Sequence, residues 1–407
     1  MRLTLLIKRP ALLGLLLVLA AGCGEDENPA DPYVPSGPRT WRVPQDVPTI
    51  QAGIDLASPG DTVLVASGTY QDCTRVDPTG VLCCVVMKSG VYLRGEAGEA
   101  NGVVVDAQSQ GRVMYCGGVD STTTIEGFML RGGNVLARKD PPPASSVGGG
   151  VYCYDSSPRW IHCAFNENIA TSGGGMYCEE SSPTLSHCSF FSNFVSSSHE
   201  GGGLNCISSS LVLTDCSFSQ NDAFLGGAMH IGMSSSSVLD RCTFWDNRAQ
   251  YGCGIFCIES SMVLSSSTFA GNGGADAGGA IFLGTSSPEI RSCTLVANSA
   301  TDGGGIYCDT GTPVVENTLI AFNHGGGAVY CEDEASVPNL ICCDLYDNVG
   351  GDWADYIADQ GLLGHNRSDD PLFCDSENRD FHLSDGSPCA PGGGCSLIGA
   401  WDVGCGK

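Results

Sequence analysis

The chain is poor in basic residues. Lys and Arg together number 19 against 45 Asp and Glu, a formal net charge of -26 over 407 residues. Binding a phosphate backbone needs clustered cations, so nucleic acid is excluded as a partner. Such acidity suits a soluble exported protein and attracts divalent cations weakly; it speaks to solubility, not to fold. Sustained helical spacing is also missing, which leaves short strands as the regular element. Long apolar runs are absent too. The one apolar stretch of note, ALLGLLLVLA at 11–20, falls short of the ~18 residues a membrane helix needs.

What is present begins with an address. Arg2, Lys8 and Arg9 precede that apolar core, and Leu19-Ala20-Ala21-Gly22-Cys23 closes it. This segment resembles a bacterial lipoprotein signal, with Ala20 standing where the usual Leu would be. The resemblance implies cleavage before Cys23 and lipidation of its thiol; a plain secretory signal is the alternative. Gly24 follows in place of the Asp of an inner-membrane retention signal. The polar, Pro-rich GEDENPADPYVPSGP then reads as a tether. The expected location is the bacterial envelope, as an outer-membrane lipoprotein or an extracellular protein, with the lipid anchor as the sole membrane contact.

Glycine, cysteine and asparagine recur with a period. GGGVYC at 148–153 returns as GGGMYC at 173–178. The apolar residue after the glycines falls at Val151, Met176, Leu204, Met229, Ile255, Ile281, Ile306 and Val329, and a later Asn at 168, 193, 221, 247, 272, 298, 323 and 348. Within each unit the periodicity is two, so the units are strands joined by Gly, Ser, Asn and Pro turns. One unit cannot bury its apolar side alone, and stacking on its neighbours can. A period of about 25 residues suits one turn of a parallel β-helix, with coils about 4.8 Å apart. Eight residues before each Asn lies an apolar column from Trp160 to Leu340, and three before it another from Phe165 to Leu345. The odd offset between the first of these and the cysteine five before Asn cannot stay on one face of a flat strand, so a corner or bulge belongs there. The Asn ladder is then a turn device bonding neighbouring coils.

The stretches VPTIQAGIDLASPGDTVLVASGTYQD (47–72), MKSGVYLRGE (87–96) and IEGFMLRGGN (125–134) resemble the opening of right-handed parallel β-helix proteins of the pectin-lyase-like group. GGGVYC and CSFFSN also resemble repeats of bacterial polymorphic outer-membrane proteins, and DPLFCDSENRDFHLSDGSPCAPGG (370–393) is similar to the closing segment of many such chains. The implied fold is all-β: a single-stranded right-handed parallel β-helix of about eleven coils with an N-terminal helical cap. Thr49 caps that helix, and Ile50, Ile54 and Ala57 cover the open end of the stack. The expected organisation is a signal peptide (1–22), a lipidated tether (23–40), a cap with first strands (41–70), early coils with a protruding Pro-rich loop (71–147), eight repeats (148–350), and a C-terminal coil and cap closing the far end (351–407).

Without Cys23 the cysteines number 22. Those of the repeats are replaced independently by Ile, Leu, Ser or Thr, which marks them as small inward fillers and not obligatory pairs, with bridges between stacked coils as the alternative. Disulfides are expected among Cys73, Cys83 and Cys84, and among Cys374, Cys389, Cys395 and Cys405. A zinc site has no support: Cys253 and Cys257 lack a second pair.

One surface column holds Tyr152, Tyr177, Asn205, His230, Phe256, Phe282, Tyr307 and Tyr330. Its alternation places it outside the coil, where it is either a glycan-binding stripe or a stacking ladder that stabilises the sheet. A weaker column, His162, His187, Asp215 and Arg241, is either a proton or metal site or a solvated face. Acidic residues at the turns, Asp155 and Glu180 among them, offer only a weak Ca²⁺ site. No cofactor motif is present, no metal ligand set is assigned, and no catalytic residue carries over from enzymes of the group. The expected role is non-catalytic carbohydrate binding or adhesion, with a polysaccharide or surface glycan as partner. The alternatives are a polysaccharide lyase or glycoside hydrolase, and a structural spacer.

Overall fold

The computed structural model describes residues 37–136, 146–196 and 198–405. The signal segment, Cys23, most of the tether and most of the Pro-rich insertion lie outside these. From Pro38 onward the chain is one compact unit.

Each coil contributes one short strand to each of three sheets. In one coil these are Val151–Tyr154, Arg159–Ile161 and Ala164–Asn166, followed by a minor fourth side at Ile169–Ala170. The sheet containing Arg159–Ile161, here the first sheet, has 12 strands; the second, containing Ala164–Asn166, has 11, and the third, containing Val151–Tyr154, has 11. The solenoid therefore makes about 12 turns, one more than expected. Apart from the antiparallel pair of Arg75–Val76 with Leu82–Val86 at the start of the third sheet, pairing in the three sheets is parallel and holds the repeat in register, so that Val151 lies beside Met176 and Met176 beside Leu204.

Three inward columns fill the interior. Trp160, Leu185, Leu213, Leu239, Leu264 and Ile290 descend the first sheet with no more than 1% exposure. In the second sheet Phe165, Phe190, Phe218, Phe244 and Phe269 stack face to face, with centroids 4.4, 4.7, 5.0 and 4.3 Å apart. The repeat cysteines are buried free thiols, as the filler reading requires.

The corner inferred from the odd offset is real, and its backbone is left-handed. His162, His187, Asp215, Arg241, Ser266, Ser292, Asn317 and Cys342, between the first and second sheets, all have φ between 47° and 53°. A second left-handed corner precedes each ladder Asn, at Glu167, Ser192, Gln220, Asp246, Gly271, Ala297, Phe322 and Asp347. The Asn side chains turn inward just after it and are at most 6% exposed. Asn247 is representative. Its Nδ2 donates to Phe218 O (3.0 Å) and Asn272 Oδ1 (2.9 Å), and its Oδ1 accepts from the backbone N of Asn221 (3.0 Å) and from Asn221 Nδ2 (3.0 Å). The ladder is a structural device.

The glycines share that close quarter. Gly148 has φ +61°, and a Cβ on Gly150 would sit 2.3 Å from Gly175 O and 2.8 Å from Asn168 Nδ2. GGG recurs because the turn needs a left-handed residue at its start and coil-to-coil contact at its end.

A seven-residue helix, Ile50–Leu56, covers the first coil; Thr49 Oγ1 accepts from Ala52 N at 3.1 Å, and Ile50 and Ile54 are buried. At the other end the 3₁₀ segment Asp355–Leu362 inserts Ile357 into the core, and Gln360 bonds Leu340 N and Pro338 O. The tail after it differs from expectation. It does not close the end but runs back along the outside of the second sheet. There Phe381, Leu383, Cys389 and Ile398 pack on Ala270, Val296, Leu319 and Ala321, and Trp401 Nε1 donates to Thr268 Oγ1 at 2.8 Å. The small outward side chains of the later coils leave the apolar face that the tail covers. Three disulfides form: Cys73–Cys84, Cys342–Cys395 and Cys374–Cys405. Cys342 stands at a left-handed corner beside the returning tail, and Cys83 and Cys389, which were expected to bridge, stay free.

Candidate functional site

The column Tyr152 to Tyr330 lies on the outer face of the third sheet, yet it is only partly open. Tyr152, Asn205, His230 and Phe256 are buried, with Asn205 at 1%, and Tyr177, Phe282, Tyr307 and Tyr330 are partly exposed. His230, Phe256, Phe282, Tyr307 and Tyr330 stack on one another, with centroids 5.6, 4.6, 4.9 and 5.1 Å apart and planes within 15°. Their faces are thus occupied by each other. Tyr251 adds edge contacts to Phe224 and Phe282 at 5.8 and 6.0 Å. Tyr152 donates to Glu179 at 2.6 Å, and the Tyr307 hydroxyl to Glu332 at 2.5 Å. His230 Nδ1 meets Asn205 Oδ1 at 2.9 Å, and burial lowers the imidazole pKa to about 4. A sugar stacks on a free ring face; this arrangement is the stabilising ladder.

The second column runs down the left-handed corner between the first and second sheets. The His162 and His187 rings lie 4.8 Å apart, His187 Nε2 is 3.7 Å from Asp215, and Arg241 holds Asp215 through bonds of 2.7 and 3.0 Å. The Arg241 hydrogen bonds keep the Asp215 carboxyl below its usual range. Arg241 also pairs with Asp240. This is an exposed ion chain whose charges are already spent on each other. Asp155 and Glu180 occupy successive left-handed corners on the exposed surface. Among the described residues no three His, Cys, Asp or Glu side chains converge as a metal site.

Sequence reasoning missed the concavity. At the other corner, just beyond the second sheet, a cleft of about 1090 Å³ crosses successive coils, lined by Ser192, Gln220, Asp222, Asp246, Arg248, Gln250, Gly271, Gly273, Gly274 and Asp276. The opening follows from composition: Gly271, Gly273 and Gly274 stand in one coil where its predecessors carry side chains. A Cβ on Gly271 would sit 2.6 Å from Asp246 Oδ1, so glycine there leaves the carboxylate its place. Gln250 Nε2 donates to Asp276 at 2.6 Å. Asp222 and Arg248 are neighbours in adjacent coils. The surrounding walls raise the Asp222 carboxyl above its usual range, and Arg248 opposes this. The returning tail reaches the cleft residue Asp246: Arg379 binds it at 2.6 Å and lies 4.8 Å over the Trp245 ring.

Two exposed aromatics stand near the cleft residue Ser192 in sequence. Phe191 is 40% and Phe194 44% exposed, and they flank the cleft residue Ser192. Unlike the ladder rings, neither has an aromatic partner among the described residues. The columns holding these groups vary from coil to coil, so no repeating pattern marks them. The residues after each ladder Asn run Ile169, Phe194, Asp222, Arg248, Gly273, Ser299, His324 and Val349.

Residues 149–320 match the family model for a right-handed beta helix region, and with the parallel sheets this makes the molecule a right-handed parallel β-helix. It is similar in structure to the pectate lyase Pel9A (TM-score 0.50, 13% identity, covering 91% of this chain and 97% of that one). It is also similar to the A-module of mannuronan C-5 epimerase AlgE4 from Azotobacter vinelandii (0.34, 15%, 79% and 95%) and to a pectin methylesterase from Aspergillus niger (0.33, 10%, 83% and 91%). At these identities the likeness is one of fold. No curated protein sequence matches the chain. Among the described residues no helix is long and apolar enough to cross a membrane.

Proposed function

We propose that the protein is an exported, envelope-anchored polysaccharide-binding β-helix, tethered through Cys23, that seats a glycan segment in the cleft beside Phe191 and Phe194. The reading rests on an open groove of planar hydrogen-bonding groups across stacked coils, with two exposed rings beside its residue Ser192. Coils repeat about every 4.8 Å, so the groove offers polar groups at regular intervals to a polymer of regular units. The binding contact thereby moves from the aromatic column on the third sheet to this corner. A second reading, cleavage of the bound chain, draws on the raised Asp222 carboxyl next to Arg248, since a carboxyl tuned upward is suited to proton transfer.

The test is a glycan array probed with the full chain, its F191A/F194A and R248A variants, and Y307A as a comparison, with hits assayed for unsaturated or reducing-end products. Binding that falls about tenfold or more in F191A/F194A and persists in Y307A, without product, is the expected result. Product from the wild type establishes the second reading. A folded wild type that binds no glycan overturns both.

A further inference from the structure

The buried thiols form columns. Cys116, Cys153, Cys178 and Cys206 are adjacent in register on the third sheet, and Cys308 pairs in register with Cys331. The last pair is in a different position from the rest. Its strand Val329–Cys331 is the final one of the third sheet, so Cys331 has a coil on one side only. It is 7% exposed, whereas Cys116, Cys153, Cys178 and Cys206 are at 0%. In-register neighbours on a parallel sheet lie about 4.8 Å apart, within the Cα span of roughly 4.4–6.8 Å that a disulfide bridges. Independently, the three disulfides elsewhere mark a chain that matures where disulfides form and persist.

We propose that Cys308 and Cys331 are a disulfide-forming site that staples the last two coils of the third sheet together. The oxidant is a disulfide, small or protein-borne. The Cys331 thiolate attacks one of its sulfurs, releasing one thiol and leaving a mixed disulfide on Cys331. The Cys308 thiolate then attacks the Cys331 sulfur, expelling the second thiol. Two protein thiols are oxidised, one external disulfide is reduced to two thiols, and two protons leave with them. The Cys331 thiol is lowered from its ordinary value by the hydrogen bond from Cys308, which favours Cys331 as the attacking group. The interior columns are sealed between coils and do not share this access.

The experiment incubates the folded full chain with oxidised glutathione, denatures it without reductant in the presence of an alkylating agent, and maps the peptides. A linked Cys308–Cys331 peptide with neither residue alkylated is the expected result, the thiols of the interior columns being alkylated in full. Alkylation of both Cys308 and Cys331 after this treatment overturns the proposal. In C308S the second step is blocked, so Cys331 accumulates as its glutathione adduct; an unmodified Cys331 in a folded C308S overturns the assigned order of attack. Because the wild-type map is decisive by itself, the proposal does not depend on the variant folding.

Discussion

Replacing Asn247 by Ala probes the ladder where it is most enclosed. The side chain is fully buried and makes four hydrogen bonds, two to backbone groups and two to ladder neighbours. The neighbours keep other partners, since Asn221 Nδ2 still donates to Phe190 O and Asn272 Oδ1 still accepts from Asn247 N. The Asn221 N–H loses its acceptor, and Phe218 O loses a donor. A net hydrogen bond is worth about 1 kcal/mol and an orphaned buried group costs about 1–3 kcal/mol, so N247A is expected to lose about 3–5 kcal/mol. N348A serves as the control. The Asn348 Oδ1 likewise accepts from Asn323 N and Nδ2, but its Nδ2 donates to Ile320 O and to Asp352 of the terminal loop. It is 6% exposed where Asn247 is 0%, so a smaller loss of about 2–3 kcal/mol is expected as water reaches the vacated site. The assay is urea unfolding followed by circular dichroism and by tryptophan fluorescence, accepted only where the two transitions coincide, since long arrays lose cooperativity. A cost below about 1 kcal/mol for N247A, or equal costs at the two rungs, refutes the reasoning.

Two buried groups give stability slopes of opposite sign with pH. His230 has its pKa lowered to about 4 by burial. The unfolded chain therefore binds the extra proton first, and stability is full above about 6.5 and falls by about 3 kcal/mol as pH drops to 4; H230N removes this slope. Asp344 has its carboxyl raised to about 6 by burial, with the Cys389 thiol bonded to it. The folded chain holds that proton longer, so stability is lost as pH rises from about 4 to 6. D344N removes that loss, and denaturation at stepped pH separates the two. For Y307A, which empties a place between Phe282 and Tyr330 and breaks the bond to Glu332, a loss of about 1–3 kcal/mol in thermal or urea unfolding is expected; an unchanged midpoint contradicts the ladder assignment.

What the sequence made legible was whatever recurs. The apolar columns from Val151, Trp160 and Phe165, the Asn rungs and the corner at His162 each appear eight times, so period and parity were enough to place them. The helix at Ile50 was legible through its capping Thr49. The site was not. A period-two argument says that Tyr177 or Phe282 lies outside the coil, but not that its face is occupied by the next ring. Cleft residues such as Asp222, Arg248 and Gly274 do not repeat, and Arg379 reaches Asp246 across 133 positions of sequence. A separation of 53 positions likewise hid the Cys342–Cys395 bridge, because nothing in a local pattern says that the tail turns back.

The left-handed corner that precedes each Asn has an evolutionary consequence. Its outward side chain is Glu167, Ser192, Gln220, Asp246, Gly271, Ala297, Phe322 or Asp347, while the amide beneath never changes. The scaffold constrains one position and not its neighbour, so the outer lettering is free to vary from coil to coil. Recombination between Asn rungs adds or removes whole turns without redesigning the interior. The length of the outer faces would then change in discrete steps of about 4.8 Å, one coil at a time.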